Sequence, residues 1–280
     1  MQNQSNPLSK HFRQPQLYIK LPSGGKWYRP NELDLPVTQE IPIFAMTAKD
    51  ELISKTPDAL MSGQATVDLI KSCAPNIKNP WQMPGLDLDY VLINIRRATY
   101  GNAMSFTVVC PHCQRKNETT VNLEFLANKL MAIEFQELCQ TSDLEVYLKP
   151  QTFQDVNNVS MRQFESQRLL GSMDDSSLTD REKIERTKLL IQSLSDLVVQ
   201  NLSDCIVAIR TSDGVVVENK THINEFLQNC DKKIWEDIKI HLQKIADQNP
   251  LKSISLTCEN KDCAKTFDTP VIVEMSNFFV

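Results

Sequence analysis

Apolar and polar positions alternate in short runs toward both ends of this chain and fall into helical spacing across its middle. Alternation with period two marks a strand, because successive side chains point to opposite faces. Residues 17–21 and 41–46 read this way. Pro22-Ser-Gly-Gly25 between them reads as a turn, since proline sets one dihedral and glycine frees the next. Lys26-Trp27-Tyr28 then reads as a resumed extended path. Thr47, with Asp50 and Glu51 in the following turn, predicts a helix N-terminus. Thr56-Pro57 predicts a second short helix with proline at its first position, and residues 65–73 a third. Residues 76–85, which include Pro80 and Pro84, read as loop. Leu88, Val91, Leu92, Ile95 and Ala98 mark one face of a helix that Gly101 is placed to cap.

Residues 106–109 and 119–123 read as two strands around a sharp turn containing Cys110-Pro-His-Cys113. Residues 124–150 mix a short helix with a strand at 144–148, and residues 153–170 read as helix. A polar linker at 171–178 leads to Thr179-x-x-Glu182, a capping box. Ile184, Thr187, Ile191, Leu194 and Val198 follow at helical spacing. Residues 205–210 and 215–218 form a predicted hairpin around Ser212-Asp-Gly214. Thr221 is the expected cap of a short helix, and residues 234–245 give another amphipathic one. Residues 252–257 and 267–274 read as strands around a second cysteine pair. No heptad array or tandem repeat stands out. There is one internal echo, a strand–Cys–turn–Cys–strand unit near residue 110 and again near residue 260.

The fold class is therefore α+β. The organisation read from the pattern is a flexible tail at 1–15, an N-terminal β/α region at 16–102, and a zinc-ribbon-like module made of 103–125 and 251–280. A mainly helical insertion at 126–250 separates the two parts of that module.

Composition changes this picture little: 41% hydrophobic and 23% charged residues suffice for a real core. Thirty basic against 35 acidic residues, a net of -5, argue against a broad nucleic-acid footprint. No run reaches the roughly 18 apolar residues of a membrane span, and the Gln/Asn/Pro-rich start lacks the apolar stretch of a secretory signal. A reducing cytoplasm is the expected compartment.

The cysteines carry the chemistry. Eight are present in a long chain without a signal, a setting that favours metal over disulfides. Cys110 and Cys113 form a C-x2-C pair; Cys258 and Cys263 form a C-x4-C pair. Two thiolates on one tight turn point at one ion, and zinc takes four ligands in a tetrahedron. We therefore expect one structural Zn2+ held by Cys110, Cys113, Cys258 and Cys263. The alternative is two unrelated surface hairpins with free thiols. The 144 residues between Cys113 and Cys258 far exceed the roughly 15–20 of an ordinary ribbon, so the site needs a large insertion. His112 reads as a solvent-facing turn residue. Cys73, Cys139, Cys205 and Cys230 lie in apolar patterns and read as core.

Catalytic patterns are missing from the sequence. With seven glycines there is no phosphate-binding loop, and His11, His112, His222 and His241 stand isolated. Asp174-Asp175 reads as solvated loop. Asp87 and Asp89 read as first-turn acids, and Arg96-Arg97 as complements to a helix C-terminus. The expectation is a non-enzymatic protein with no catalytic residues. Of Trp27, Tyr28 and Trp81, two lie beside turns; the set reads as local packing against the N-terminal sheet, with interface anchors as the alternative.

Several blocks together resemble a known family. They are Leu21-Pro-Ser-Gly-Gly-Lys-Trp-Tyr28, Pro42-Ile-Phe-Ala-Met-Thr-Ala-Lys-Asp-Glu51, Thr56-Pro-Asp-Ala-Leu-Met-Ser-Gly63, residues 89–101, and Cys110-Pro-His-Cys113. In order and spacing, over about residues 17–125, they resemble the T4-type bacteriophage baseplate protein family, which includes a baseplate hub subunit or hub assembly protein. The resemblance implies a structural or assembly role in a contractile tail baseplate. The implied partners are other baseplate or hub proteins, met in the host cytoplasm during assembly; the resemblance leaves open both retention in the virion tail and an assembly-only role. Two other readings compete. A zinc-ribbon adapter for nucleic acid or the transcription machinery calls for basic residues at the knuckles. Arg115, Lys116, Lys261 and Lys265 are there, but Glu118, Glu259, Asp262 and Asp268 interleave with them. A metal-dependent hydrolase calls for an open coordination position.

Overall fold

The computed structural model describes residues 6–54, 62–171, 180–271 and 278–279. The predicted helix at Thr56-Pro57 and the capping residue Thr179 lie outside them, as do residues 272–277 of the last predicted strand. The chain divides into two compact units. One comprises Met1–Pro80, Leu86–Ala132 and Pro250–Val280; the other comprises Trp81–Gly85 and Ile133–Asn249. Both mix helices with small antiparallel sheets.

In the first unit, strands Pro15–Ile19 and Ile41–Phe44 pair antiparallel. Their alternation buries Ile19, Ile41 and Ile43 beneath helix Gln64–Cys73, which turns Val67, Ile70 and Cys73 inward. Each fully buried isoleucine contributes about 1.5–3 kcal/mol of apolar transfer. Helix Ala48–Ser54 begins as its residues require. The Thr47 Oγ1 accepts from the Asp50 amide at 3.2 Å, and the Asp50 carboxylate accepts from the Thr47 amide at 2.7 Å. Arg13 is anchored rather than trailing: its guanidinium donates to the carbonyls of Ala45 at 2.5 Å and Ser72 at 2.6 Å. It thereby ties a strand end to a helix C-terminus.

Two charged residues of helix Gly85–Tyr100 play roles other than dipole complementarity. Asp87 is fully buried and accepts three hydrogen bonds, from the Ser23 amide at 2.9 Å, the Ser23 hydroxyl at 2.5 Å and the Tyr28 hydroxyl at 3.1 Å. The Pro22–Tyr28 segment is accordingly a compact turn and not an extended path. Gly24 and Gly25 take φ of 62° and 85°, and Trp27 itself sits at 72°. Arg96 is also buried. Its guanidinium donates to the Phe278 carbonyl and lies 5.1 Å over the Tyr100 ring and 5.3 Å over the Phe278 ring. Arg97 bonds Asn94, Asn102 and Glu124.

The second unit is built on a four-stranded antiparallel sheet in chain order: Leu138–Gln140, Leu144–Leu148, Ile206–Thr211 and Val216–Val217. Cys139, Val146, Leu148, Ile206 and Ile209 face a core that helices Lys220–Asn229 and Lys232–Ala246 close with Ile223, Leu227 and Ile238. Trp81 stacks on Phe153 at 5.1 Å, so its packing partner lies in this unit and is not the N-terminal sheet that the sequence suggests. Several boundaries differ from the pattern. Cys205 is the last residue of helix Asp180–Cys205 and not the first of a strand. Helix Lys220–Asn229 is capped by Asn219, whose side chain accepts from the amides of Thr221 and His222. Asparagine competes with threonine for this position and here stands where the backbone is extended. On Asp180–Cys205 the inward residues are Leu190, Leu197 and Leu202, whereas Ile184, Ile191 and Val198 face outward.

Lys220 closes the end of that long helix. Its Nζ donates to the carbonyls of Ser203, at 2.7 Å, and Ile206. Orphaned C-terminal carbonyls need such donors. Lys220→Met is expected to cost about 1 kcal/mol in urea unfolding; no measurable change would mean that water serves these carbonyls equally well.

Candidate metal centre

Two hairpins bring the cysteine pairs together. Strands Ala103–Val109 and Lys116–Asn122 pair from Ala103↔Asn122 to Val109↔Lys116, with Cys110 to Arg115 as the loop. Strands Ile254–Thr257 and Thr266–Thr269 pair from Thr269↔Ile254 to Thr266↔Thr257, with Cys258 to Lys265 as the loop. The loops close alike. The Cys110 amide donates to the Arg115 carbonyl at 2.9 Å, and the Cys258 amide to the Lys265 carbonyl at 3.0 Å. In each, the residue after the second cysteine is left-handed, Gln114 at φ 57° and Ala264 at 45°. That reversal aims both thiols of a pair to one side. Within each pair the first cysteine is buried and the second half-buried.

The four Sγ atoms lie within 4.8 Å of one another. Cys110 and Cys263 are 4.0 Å apart, and Cys113 and Cys258 are 3.6 Å apart. A tetrahedron with metal–sulfur bonds of about 2.3 Å has edges of about 3.8 Å. The arrangement thus fits a closed four-sulfur site, a donor set suited to soft or borderline metals. Among the described residues this is the cluster of potential ligands that meets at one point. An apolar jacket of Val108, Leu256 and Phe267 surrounds it. His112 is exposed.

The electrostatics differ between partners. The Arg115 amide, donating to Cys113, holds that thiol down at about 7. Burial pushes Cys258 up to about 11, against the opposing hydrogen bond from the Asn260 amide. In both pairs the donating amide belongs to the residue two positions on, an arrangement that stabilises thiolate. The remaining cysteines contrast with these: burial raises Cys73 to about 11 and Cys205 to about 12, as expected of inert core thiols. Cys139 is buried too, while Cys230 is only half-buried, short of the core position read for it.

One residue of the site escaped the sequence reading. Asn117 is nearly fully buried; its Nδ2 donates to the Arg115 carbonyl at 2.9 Å and its Oδ1 accepts from the Glu259 amide at 2.7 Å. It thus pins the second loop to the first. It stands four residues after Cys113, as Phe267 stands four after Cys263. A polar residue on the inward face of a strand, where its counterpart is aromatic, was the available signal. Asn117→Ala is expected to weaken metal binding by about 10–100-fold, as loss of an outer-shell support does, read by competition with a chelator. An unchanged affinity would reduce Asn117 to loop packing.

The chain matches the family model described as T4 bacteriophage base plate protein over residues 15–280. It belongs to that family. The match runs through both cysteine loops and the residues between them, well beyond the blocks that carry the resemblance in the sequence. No curated protein and no solved structure gives a significant match. Membership brings with it a structural role in the phage baseplate, association with the virion tail and contacts with other phage proteins. Among the described residues of this baseplate protein, no helix is long and apolar enough to cross a membrane.

Proposed function

We propose that this baseplate protein is a non-enzymatic structural or assembly component of the hub of a contractile tail. In this reading one Zn2+ held by Cys110, Cys113, Cys258 and Cys263 staples its two hairpins into a zinc-ribbon-like module. The convergence of four thiols from loops 144 residues apart is the observation that carries the zinc. Unrelated hairpins have no reason to aim four sulfurs at one point. A four-thiolate ion has no vacant position for water or substrate, so its work is to hold the chain together. Assembly takes place in the host cytoplasm, and binding surfaces rather than chemistry carry the function. The exposed charges at the knuckles supply no net positive field: Arg115, Lys116, Lys261 and Lys265 are offset by Glu118, Glu259, Asp262 and Asp268. That favours protein partners over nucleic acid.

The test is a tagged pull-down from phage-infected cells at moderate salt with nuclease added, proteins being named by mass spectrometry, alongside metal analysis of the purified chain. Recovery of hub proteins together with about one zinc per chain is the expected result. Polymerase subunits in the eluate, or affinity for DNA that falls steeply with salt, would replace this reading with that of a nucleic-acid adapter.

A further inference from the structure

The long helix Asp180–Cys205 carries two apolar stripes. Leu190, Leu197 and Leu202 are buried. Ile184, Ile191 and Val198 are 70%, 63% and 49% exposed. The exposed three are spaced by seven residues, with Thr187 and Leu194 three positions after the first two, both half-buried. β-branched residues every seventh position with a second set three further on is the seam of a coiled coil. A period of seven against 3.6 residues per turn keeps such a seam facing one partner helix along its length; a flat sheet or groove imposes no such period.

We infer that this stripe is the interface between two copies of the chain, packed as an antiparallel pair of Asp180–Cys205 helices. Charge sets the direction. The half before Ile191 carries Arg181, Lys183, Arg186 and Lys188 against Asp180, Glu182 and Glu185, a net of +1. The half after it holds Asp196 and Asp204 and no base. A parallel pair sets the acidic half of one helix against the acidic half of the other. An antiparallel pair sets each basic half against the acidic half of its neighbour and aligns the helix dipoles favourably. The seam is self-complementary in that direction. Ile191 comes opposite Leu194 of the second copy at the centre, Val198 opposite Thr187, and Ile184 opposite Asn201, so every layer holds at least one apolar side chain. A surface that matches itself under a two-fold rotation is what a symmetric dimer uses.

Sedimentation equilibrium of the full chain over a range of concentrations tests this. The expected result is a dimer whose dissociation constant rises by about 100-fold or more in Ile191→Asp, since a carboxylate buried in the seam has no partner. The helix content by circular dichroism and the metal content of that variant should match wild type, because Ile191 is exposed in the single chain. A chain that stays monomeric throughout, or a dimer indifferent to Ile191→Asp, overturns the inference. Direction is read separately by oxidative cross-linking of an Ile184→Cys chain mixed with an Asn201→Cys chain. The mixed product should form and the Ile184→Cys homodimer should not, because antiparallel packing holds the two 184 positions about 25 Å apart. Efficient homodimer cross-linking at 184 overturns the antiparallel arrangement.

Discussion

Cys258→Ser is expected to abolish metal binding and to release the second hairpin from the first. Serine offers no thiolate, and three sulfurs do not close the tetrahedron. Zinc measured on the purified chain should fall from about one per molecule to near zero. The structural consequence is local but large. Among the described residues, strands Ile254–Thr257 and Thr266–Thr269 form a two-stranded ribbon, an arrangement that is marginal in water by itself. The amides of Leu256 and Phe267 should therefore lose their protection from hydrogen exchange, while those of the Ile41–Phe44 strand keep theirs. In isolated zinc modules the ion supplies about 10–16 kcal/mol; here the rest of the unit has its own core, so the unit survives and the ribbon does not. A strong chelator should reproduce the effect on the wild-type chain. Cys73→Ser and Cys139→Ser, which alter buried thiols away from the cluster, should leave the zinc in place. If Cys258→Ser retains full zinc, or keeps Leu256 protected, the four-sulfur staple is refuted.

Asp87→Ala is expected to be the most damaging single change outside the cysteines, at about 3 kcal/mol or more. It leaves the Ser23 amide and the Ser23 and Tyr28 hydroxyls without their acceptor and frees the whole Pro22–Tyr28 turn. Asp87→Asn should cost less, because the amide oxygen still accepts while its NH2 now opposes a donor. The pH dependence distinguishes the two forces on this carboxyl. Burial raises it above the ordinary carboxylate value, and the hydrogen bonds from Ser23 and Tyr28 pull against that rise. An acid raised in the folded state holds its proton there at a pH where the unfolded chain has lost it. Its contribution to stability is therefore greatest in acid and is lost as pH rises through the folded value. Urea unfolding at pH 4 to 8 should show this decline in the wild type and a flatter profile in Asp87→Asn. A steeper decline in the variant would mean that hydrogen bonding outweighs burial.

Much of the fold was legible because it follows from local rules. Alternation located both cysteine hairpins, and helical spacing with Gly101 located the helix before the first. The spacing within each cysteine pair points to a metal ligand set, and the fold brings together loops that lie far apart in sequence. What stayed hidden depends on partners remote in the chain. Asp87 and Arg96 looked like dipole complements because their real partners, Ser23, Tyr28 and Phe278, are about 60 and 180 residues away. Trp27 read as extended because nothing local shows that the turn runs on into a left-handed residue. Asn219 took the cap assigned to Thr221, two equally good capping types separated only by backbone geometry. On the long helix, periodicity picked out the apolar stripe that faces outward, since spacing reports that a stripe exists and not which neighbour covers it.

The separation of the two cysteine loops has a consequence for synthesis. The chain leaves the ribosome from its N-terminus at roughly 5–20 residues per second, so Cys258 follows Cys113 by roughly 7–30 s. For that interval the first loop holds a half-site of two sulfurs, Cys110 and Cys113, without the second pair. Free zinc, glutathione or another nascent chain has time to reach it. Folding of the chain thus includes a waiting period written into the order of the residues. The length of the intervening segment sets a clock for that wait while costing the finished site little, because closure entropy grows only with the logarithm of loop length.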